Sequence, residues 1–222
     1  MNIILIGPPA SGKGTQAKLV ENKFGLFHLS TGDLLREIVS RANEVQSHLE
    51  STNDIKSQNL DLANQIKNLI DKGQFVSDEL IIQLVKDKLN EIGSQKGVLF
   101  DGFPRTVAQA KELEKFANID YIIELVVSKQ TIIARALDRA RCENCGKDFI
   151  LSQTDGKSCD NCGGKILQRA DDTAETAANR YEEYLSKTYP ITNYFKNHKG
   201  YYKIDGENSV ENVYSDICKV IE

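Results

Sequence analysis

The sequence predicts an α/β protein built on a central parallel sheet flanked by helices, and three observations predict it. Short apolar runs recur along the chain and read as strands buried on both faces; helical periodicity fills the intervals; and the first run ends in a glycine-rich turn leading into a helix. Strands alternating with helices indicate parallel order with right-handed crossovers.

Met1-Asn-Ile-Ile-Leu-Ile-Gly7 is the first such strand. Pro8 to Thr15 forms the glycine-rich turn, and Gln16 to Lys23 has helix-forming composition with Ala17, Leu19, Val20 and Phe24 apolar. From Thr31 to Val76 there are helical stretches and no convincing strand, which marks a helical excursion from the sheet. Leu80 to Ile92 is the next helix, then a strand at Gly97-Val-Leu-Phe100 and a helix at Val107 to Phe116. A strand at Tyr121 to Val127 leads to a helix at Gln130 to Arg141, which would set Arg135 and Arg139 four residues apart on one face. Cys142 to Leu167 is rich in Cys, Gly, Asp and Asn, too poor in apolar residues for a core, and so needs a covalent or metal staple. Helices at Thr173 to Tyr189 and Val210 to Ile221 enclose a weaker strand at Tyr201 to Ile204.

Composition narrows the function. Across 222 residues, 28 Lys+Arg stand against 32 Asp+Glu, a formal net charge of −4. Such a balance argues against a protein that coats DNA or RNA, and still allows a small anionic ligand. With 40% hydrophobic and 27% charged residues there is material for one large domain with appended lobes. No run approaches the roughly 20 apolar residues that span a bilayer, and Ile3 to Ile6 is too short for a signal-peptide core. A cytoplasmic protein is expected, and in a reducing compartment an array of cysteines binds metal more readily than it forms disulfides.

Two motifs carry chemistry. Gly7-x4-Gly12-Lys13 fits a phosphate-binding loop: backbone N–H groups face an anion, the helix adds its positive end, and lysine supplies a mobile charge. Gly14 displaces the usual hydroxyl residue to Thr15, and without further context an ordinary glycine-rich turn is the alternative. Cys142-x2-Cys145-x13-Cys159-x2-Cys162, with a glycine after each second cysteine, can present four thiolates to zinc. Iron, a disulfide pair and a nucleic-acid-binding ribbon are the alternatives. Lys147, Lys157 and Lys165 against Glu143, Asp148, Asp155 and Asp160 give no basic stripe, which argues against the ribbon. Four protein ligands leave no open position, so the metal would be structural. Cys218, in an apolar helical pattern, reads as a buried small residue.

Together with Ser30-Thr-Gly-Asp-Leu-Leu-Arg36, Asp101-Gly-Phe-Pro-Arg105 and Gln168-Arg-Ala-Asp-Asp172, in that order, these motifs resemble adenylate kinase in its zinc-bearing, long-lid form, over residues 1 to about 217. The resemblance implies a P-loop nucleoside-monophosphate kinase fold: a core of 1–29, 77–137 and 173–222, a helical monophosphate-binding lobe of 30–76 and a zinc lid of 138–172. It implies reversible transfer of the terminal phosphoryl of ATP to AMP, giving two ADP, with Mg2+ beside ATP and a structural Zn2+, in a monomer with no nucleic-acid or membrane partner. By the same resemblance the catalytic residues are Lys13, Asp101, Arg105, Arg139, Arg169 and Arg180. ATP would contact Ala10, Ser11, Gly12, Lys13, Gly14, Thr15, Arg135, Arg139, Asp148, Phe149 and Asn208. AMP would contact Thr31, Arg36, Gln74, Phe75, Val76, Gly102, Phe103, Pro104, Arg105, Gln109, Arg169 and Arg180. Asp101 would hold magnesium through water, and Asp171 and Asp172 would meet lid arginines or magnesium waters.

Taken singly, any of these arginines is equally a surface ion pair, Gln109 an exposed helix residue, and Ser30 or Thr31 an N-cap. Arg41 and Arg141 fall outside the family's pattern and read as solvated surface charges. The chain also departs from that pattern in a longer stretch at 40–60, in Asp138 where a hinge glycine is common, and in Ala10, which is tolerated if its φ is negative.

Overall fold

A computed structural model describes residues 1–48, 64–69, 76–93, 96–154, 158–168 and 172–222. Five strands, β1 (Ile3–Ile6), β2 (Phe27–Ser30), β3 (Val98–Asp101), β4 (Tyr121–Val126) and β8 (Tyr201–Asp205), form one sheet in the order β2-β3-β1-β4-β8, every pair parallel. All four residues of β1 are buried, as a central strand covered on both faces requires. The helices are α1 (Lys13–Phe24), α2 (Thr31–His48), α3 (residues 64–69), α4 (Asp78–Ile92), α5 (Val107–Leu113), α6 (Lys129–Leu137), α7 (Ala174–Glu183), α8 (Pro190–Phe195) and α9 (Val210–Ile221). A π turn, Tyr184–Thr188, joins α7 to α8. Ser77, Thr106, Ser128, Thr173 and Ser209 cap five of these helices, each side-chain oxygen accepting from an N–H three residues on.

The helices divide the apolar residues into a core on each face of the sheet. One packs Ile4, Ile6, Phe100 and Ile122 with Leu35, Ile66, Val76, Ile81, Val85, Phe103 and Phe195. The other packs Ile3, Leu5, Leu99 and Ile123 against Ala17 and Val20 of α1 and Val213, Ile217 and Ile221 of α9. The alternation along each strand thus serves two cores at once.

The chain leaves the sheet after α6 into a small antiparallel ribbon, β6-β5-β7, of Asp148–Ile150, Arg139–Cys142 and Ile166–Gln168. This corrects the single helix read over Gln130 to Arg141. The helix ends at Leu137, and Asp138 adopts φ −94°, ψ 4° as its C-cap, so Arg139 belongs to a strand and does not share a helical face with Arg135. β2 is a further strand that the sequence pattern did not disclose. Asp138 keeps a negative φ without glycine, and its carboxylate accepts from Ser152 N (2.7 Å) and Oγ (2.6 Å).

Candidate active site

A cleft of about 1000 Å³ opens at the C-terminal edge of the parallel strands, where such sheets place their ligands. β1 delivers the loop from Gly7 to Thr15 into it. Gly7 has no room for a side chain, since a Cβ there would stand 2.8 Å from Ser11 Oγ and 3.0 Å from Leu125 O. Gly12 takes φ 95°, and Ala10 takes φ 61°. The condition under which alanine would be tolerated without strain, a negative φ, is therefore not met: its methyl sits in the left-handed region, at a cost on the order of 1 kcal/mol. Lys13 Nζ folds back over the loop and donates to Gly7 O and Pro8 O, each at 2.7 Å. Burial pulls its ammonium down to about 8, with Asp101 opposing and Arg105 and Arg139 adding to the fall.

Asp101 closes β3, with His28 Nε2 of the adjoining β2 at 3.2 Å from its Oδ2. The next residue, Gly102 (φ 74°), turns the chain so that its carbonyl accepts from Thr31 Oγ1 (2.8 Å) and Arg105 Nε (2.7 Å). Ser30 Oγ accepts from Asp33 N, so Ser30 caps α2 and leaves the Thr31 hydroxyl to face Gly102. Burial lowers the Arg105 guanidinium's pKa against the pull of Asp101, and the fields of Arg180 and Arg36 add to the lowering. Three arginines close enough to feel one another mark a place prepared for an anion.

Gln109 corrects the exposed reading: it is buried, its Oε1 accepts from Arg105 N (2.6 Å), and its Nε2 donates to Asp78 Oδ1 (2.7 Å). From the ribbon, Arg139 forks onto buried Asp172, Nε to Oδ2 at 2.7 Å and Nη2 to Oδ1, and Arg180 of α7 lies 3.8 Å from the same carboxylate. Asp172 therefore draws one lid arginine and one core arginine together. On the far side, Arg135 Nη1 donates to Gly206 O (2.9 Å) beside Asn208.

Nearly every described residue assigned to a nucleotide lines this cleft: Ala10 to Thr15, Thr31, Arg36, Val76, Asp101, Gly102, Pro104, Arg105, Gln109, Arg135, Arg139, Asp148, Phe149, Arg180 and Asn208. Phe103 is instead fully buried in the core, followed by a cis bond to Pro104. Gln74, Phe75, Arg169 and Asp171, and most of the 40–60 stretch, lie outside the described residues. Arg141, read as a solvated charge, is a cleft residue: it meets Asp33 at 3.2 Å, Asp148 at 3.2 Å and Gly146 O at 2.7 Å. His28, Asp33 and Arg141 were missed because each acts on another protein side chain; the alternation Arg139-Ala-Arg-Cys142 was the available sign that Arg139 and Arg141 share a strand face.

The four lid cysteines are thiols brought to one point, every Sγ within 4.8 Å of the others. A tetrahedral zinc with bonds of about 2.3 Å sets its sulfurs about 3.8 Å apart. Cys142 to Cys162 and Cys145 to Cys159 are each 3.5 Å, so the residues fit that ion. The two halves match: Gly146 N donates to Cys142 O and Gly163 N to Cys159 O, and both glycines have positive φ. Backbone donation from Lys147, aided by Asn161, brings the Cys145 thiol down to about 6, while, against backbone donation from Gly164, Cys142, Cys145 and Cys159 push Cys162 up to about 12, as expected of thiols that share protons at close range.

The family model described as adenylate kinase matches residues 5–200. The chain is 37% identical to an adenylate kinase of Archaeoglobus fulgidus over 230 aligned residues, covering 100% of this chain and 98% of that protein. It is 40% identical to one of Clostridium tetani, at 100% and 98% coverage, and 37% identical to one of Kosmotoga olearia, at 100% and 99%.

Proposed function

The chain belongs to the adenylate kinase family, and from that premise we infer how the cleft performs the family's reaction. It is a nucleoside-monophosphate kinase that transfers the terminal phosphoryl of ATP reversibly to AMP and so maintains the balance of adenine nucleotides. The convergence of Lys13, Arg36, Arg105, Arg139 and Arg180 on one cleft carries this reading. Both the nucleophile and the leaving group are phosphate oxygens, so catalysis needs alignment, charge neutralisation and exclusion of water rather than a protein base.

ATP's phosphates lie in the loop Ala10 to Thr15, with Lys13 moving from the Gly7 and Pro8 carbonyls to the transferring phosphate. Arg36 and Arg105 grip the AMP phosphate. Arg36 Nε is a buried donor with no hydrogen-bond partner among the described residues, as a phosphate-ready group would be. Arg139 and Arg180 span the two phosphate chains, joined by Arg169 on the family pattern. Arg135 stacks on ATP's adenine near Asn208, while Asp148 and Phe149 close over it. Thr31, Val76, the Gly102 to Pro104 backbone and Gln109 receive AMP, with Gln74 and Phe75 completing that wall. One amide hydrogen of Gln109 remains for the adenine edge.

Magnesium accompanies ATP in this family and neutralises phosphate charge; Asp101, at the end of β3 in the cleft, would hold it through water. Cys142, Cys145, Cys159 and Cys162 would hold a zinc ion that keeps the lid one rigid body. The lid is 138–172, the AMP lobe 30–76, and 1–29, 77–137 and 173–222 the core. We take the protein to be a monomer, and its free thiols suit the cytoplasm.

A coupled assay across monophosphate acceptors tests the assignment, with turnover expected on AMP and far less on CMP or UMP. Arg105→Ala is expected to lower kcat by about 10²–10³ while ATP binding stays within about twofold, because Arg105 serves the acceptor's phosphate. Strong turnover with UMP and none with AMP would overturn the acceptor; unchanged transfer by the variant would overturn its role.

A further inference from the structure

We propose that Arg141, on lid strand β5, is a positioning residue that couples acceptor binding to lid closure by sharing one oxygen of Asp33 with Arg36. Asp33 Oδ1 accepts from Arg36 Nη2 at 2.7 Å and from Arg141 Nη1 and Nη2 at 3.2 Å each. Two cations from two lobes thus meet on a single atom. Both outer ends of this contact are fixed: Arg141 Nε donates to Gly146 O in the cysteine turn and lies 3.2 Å from Asp148, and the Asp33 backbone is tied to Ser30 Oγ in the first turn of α2.

Arg36 is the member with a second role. The inference rests on the adenylate kinase reading, in which Arg36 binds the acceptor's phosphate. A phosphate bearing two negative charges draws the guanidinium away from a single carboxylate, since the planar fork binds phosphate at two points. Oδ1 is then left to Arg141, and the pair no longer divides its attraction with a like charge. Acceptor binding therefore strengthens a bond between the monophosphate lobe and the lid. By thermodynamic reciprocity, a donor that closes the lid tightens the acceptor by the same factor. Because the contact is partly exposed, the effect is modest and it acts on binding, not on the chemical step.

Calorimetric titration with a non-hydrolysable ATP analogue, alone and at saturating AMP, tests this. In the wild type AMP is expected to tighten the analogue by about two- to fivefold. Arg141→Ala should bring that ratio close to one and weaken AMP alone slightly, because Arg36 then has Asp33 Oδ1 to itself and the acceptor must draw it from an undivided ion pair. Asp33→Asn keeps Arg141's bonds to Gly146 and Asp148 intact, so it separates the latch from general loosening of the lid; it should lose the same ratio, and the double variant should lose no more. A wild type without coupling, an Arg141→Ala ratio like the wild type's, or losses that add in the double variant would overturn the latch alone. Failure of the wild type to bind either nucleotide would overturn the kinase reading itself.

Discussion

Lys13 sits close to the limit at which a lysine keeps its charge. Burial in the phosphate loop brings it down to about 8 from an ordinary value near 10.5. Between those two values the unfolded chain binds more protons here than the folded chain. Stability contributed by this group therefore rises with pH across that window, and below about 8 the buried cation opposes folding in full. Function runs the other way. Above about pH 8 the free enzyme loses the cation proposed to meet ATP, so kcat/KM for ATP should fall between pH 8 and 10. Bound phosphates restore the charge, so kcat at saturating ATP should hold to higher pH. A kcat/KM profile flat to pH 10 would remove Lys13 from the recognition of ATP. Ala10 illustrates the complementary limit at this scale: its type can be read from the sequence, but its φ of 61° is set by the path of the whole loop.

At the scale of elements, the lid depends on its two cysteine turns fitting against each other. Lys147 and Gly164 occupy matching positions, each two residues beyond its turn's second cysteine, but only the second must be glycine: a Cβ on Gly164 would stand 2.9 Å from Cys142 Sγ and 2.8 Å from the Asn144 side chain. Gly164→Ala should therefore displace one sulfur. The expected result is at least a tenfold loss of zinc affinity, read by chelator competition, with residual phosphoryl transfer because the metal lies outside the chemistry. Undiminished zinc affinity would show that the contact is slack. The core was legible because its strands are continuous apolar runs, such as Ile3 to Ile6, and its helices carry caps and apolar stripes, as Val213, Ile217 and Ile221 do on α9. β2 was not, because Phe27-His-Leu-Ser is short, half-buried and polar at alternate positions where it lines the cleft. The ribbon was not, because strands of three or four residues carry almost no periodicity and Arg139 continues a helical pattern across an Asp138 cap with neither glycine nor proline. The phosphate loop and cysteines were readable because their chemistry is local in sequence. Asp172 meets Arg139 as its motif led one to expect, whereas Asp33 gains its lid contact from an arginine more than one hundred residues away that no local pattern announces.

For the whole molecule, a mild net charge of −4 conceals a strongly cationic cleft. The cations can be held close together only because the sheet beneath them is made rigid by apolar packing on both faces. Lid and sheet are stabilised by different means: the ribbon by its thiols and the hinge bonds from Ser152 to Asp138 and from Gln168 Nε2 to Leu137 O (2.9 Å), the sheet by its two cores. They should therefore fail separately. Ile217 is fully buried against α1 and the sheet, so Ile217→Ala should cost about 2–5 kcal/mol of global stability and leave zinc content unchanged. Removing the metal with a chelator should do the reverse. Hydrogen exchange would then show residues 139–142, 148–150 and 166–168 losing protection while β1, β3 and β4 keep theirs. Loss of protection in both at once would mean that lid and sheet form a single cooperative unit, and the lid could not then move as a body over a fixed site.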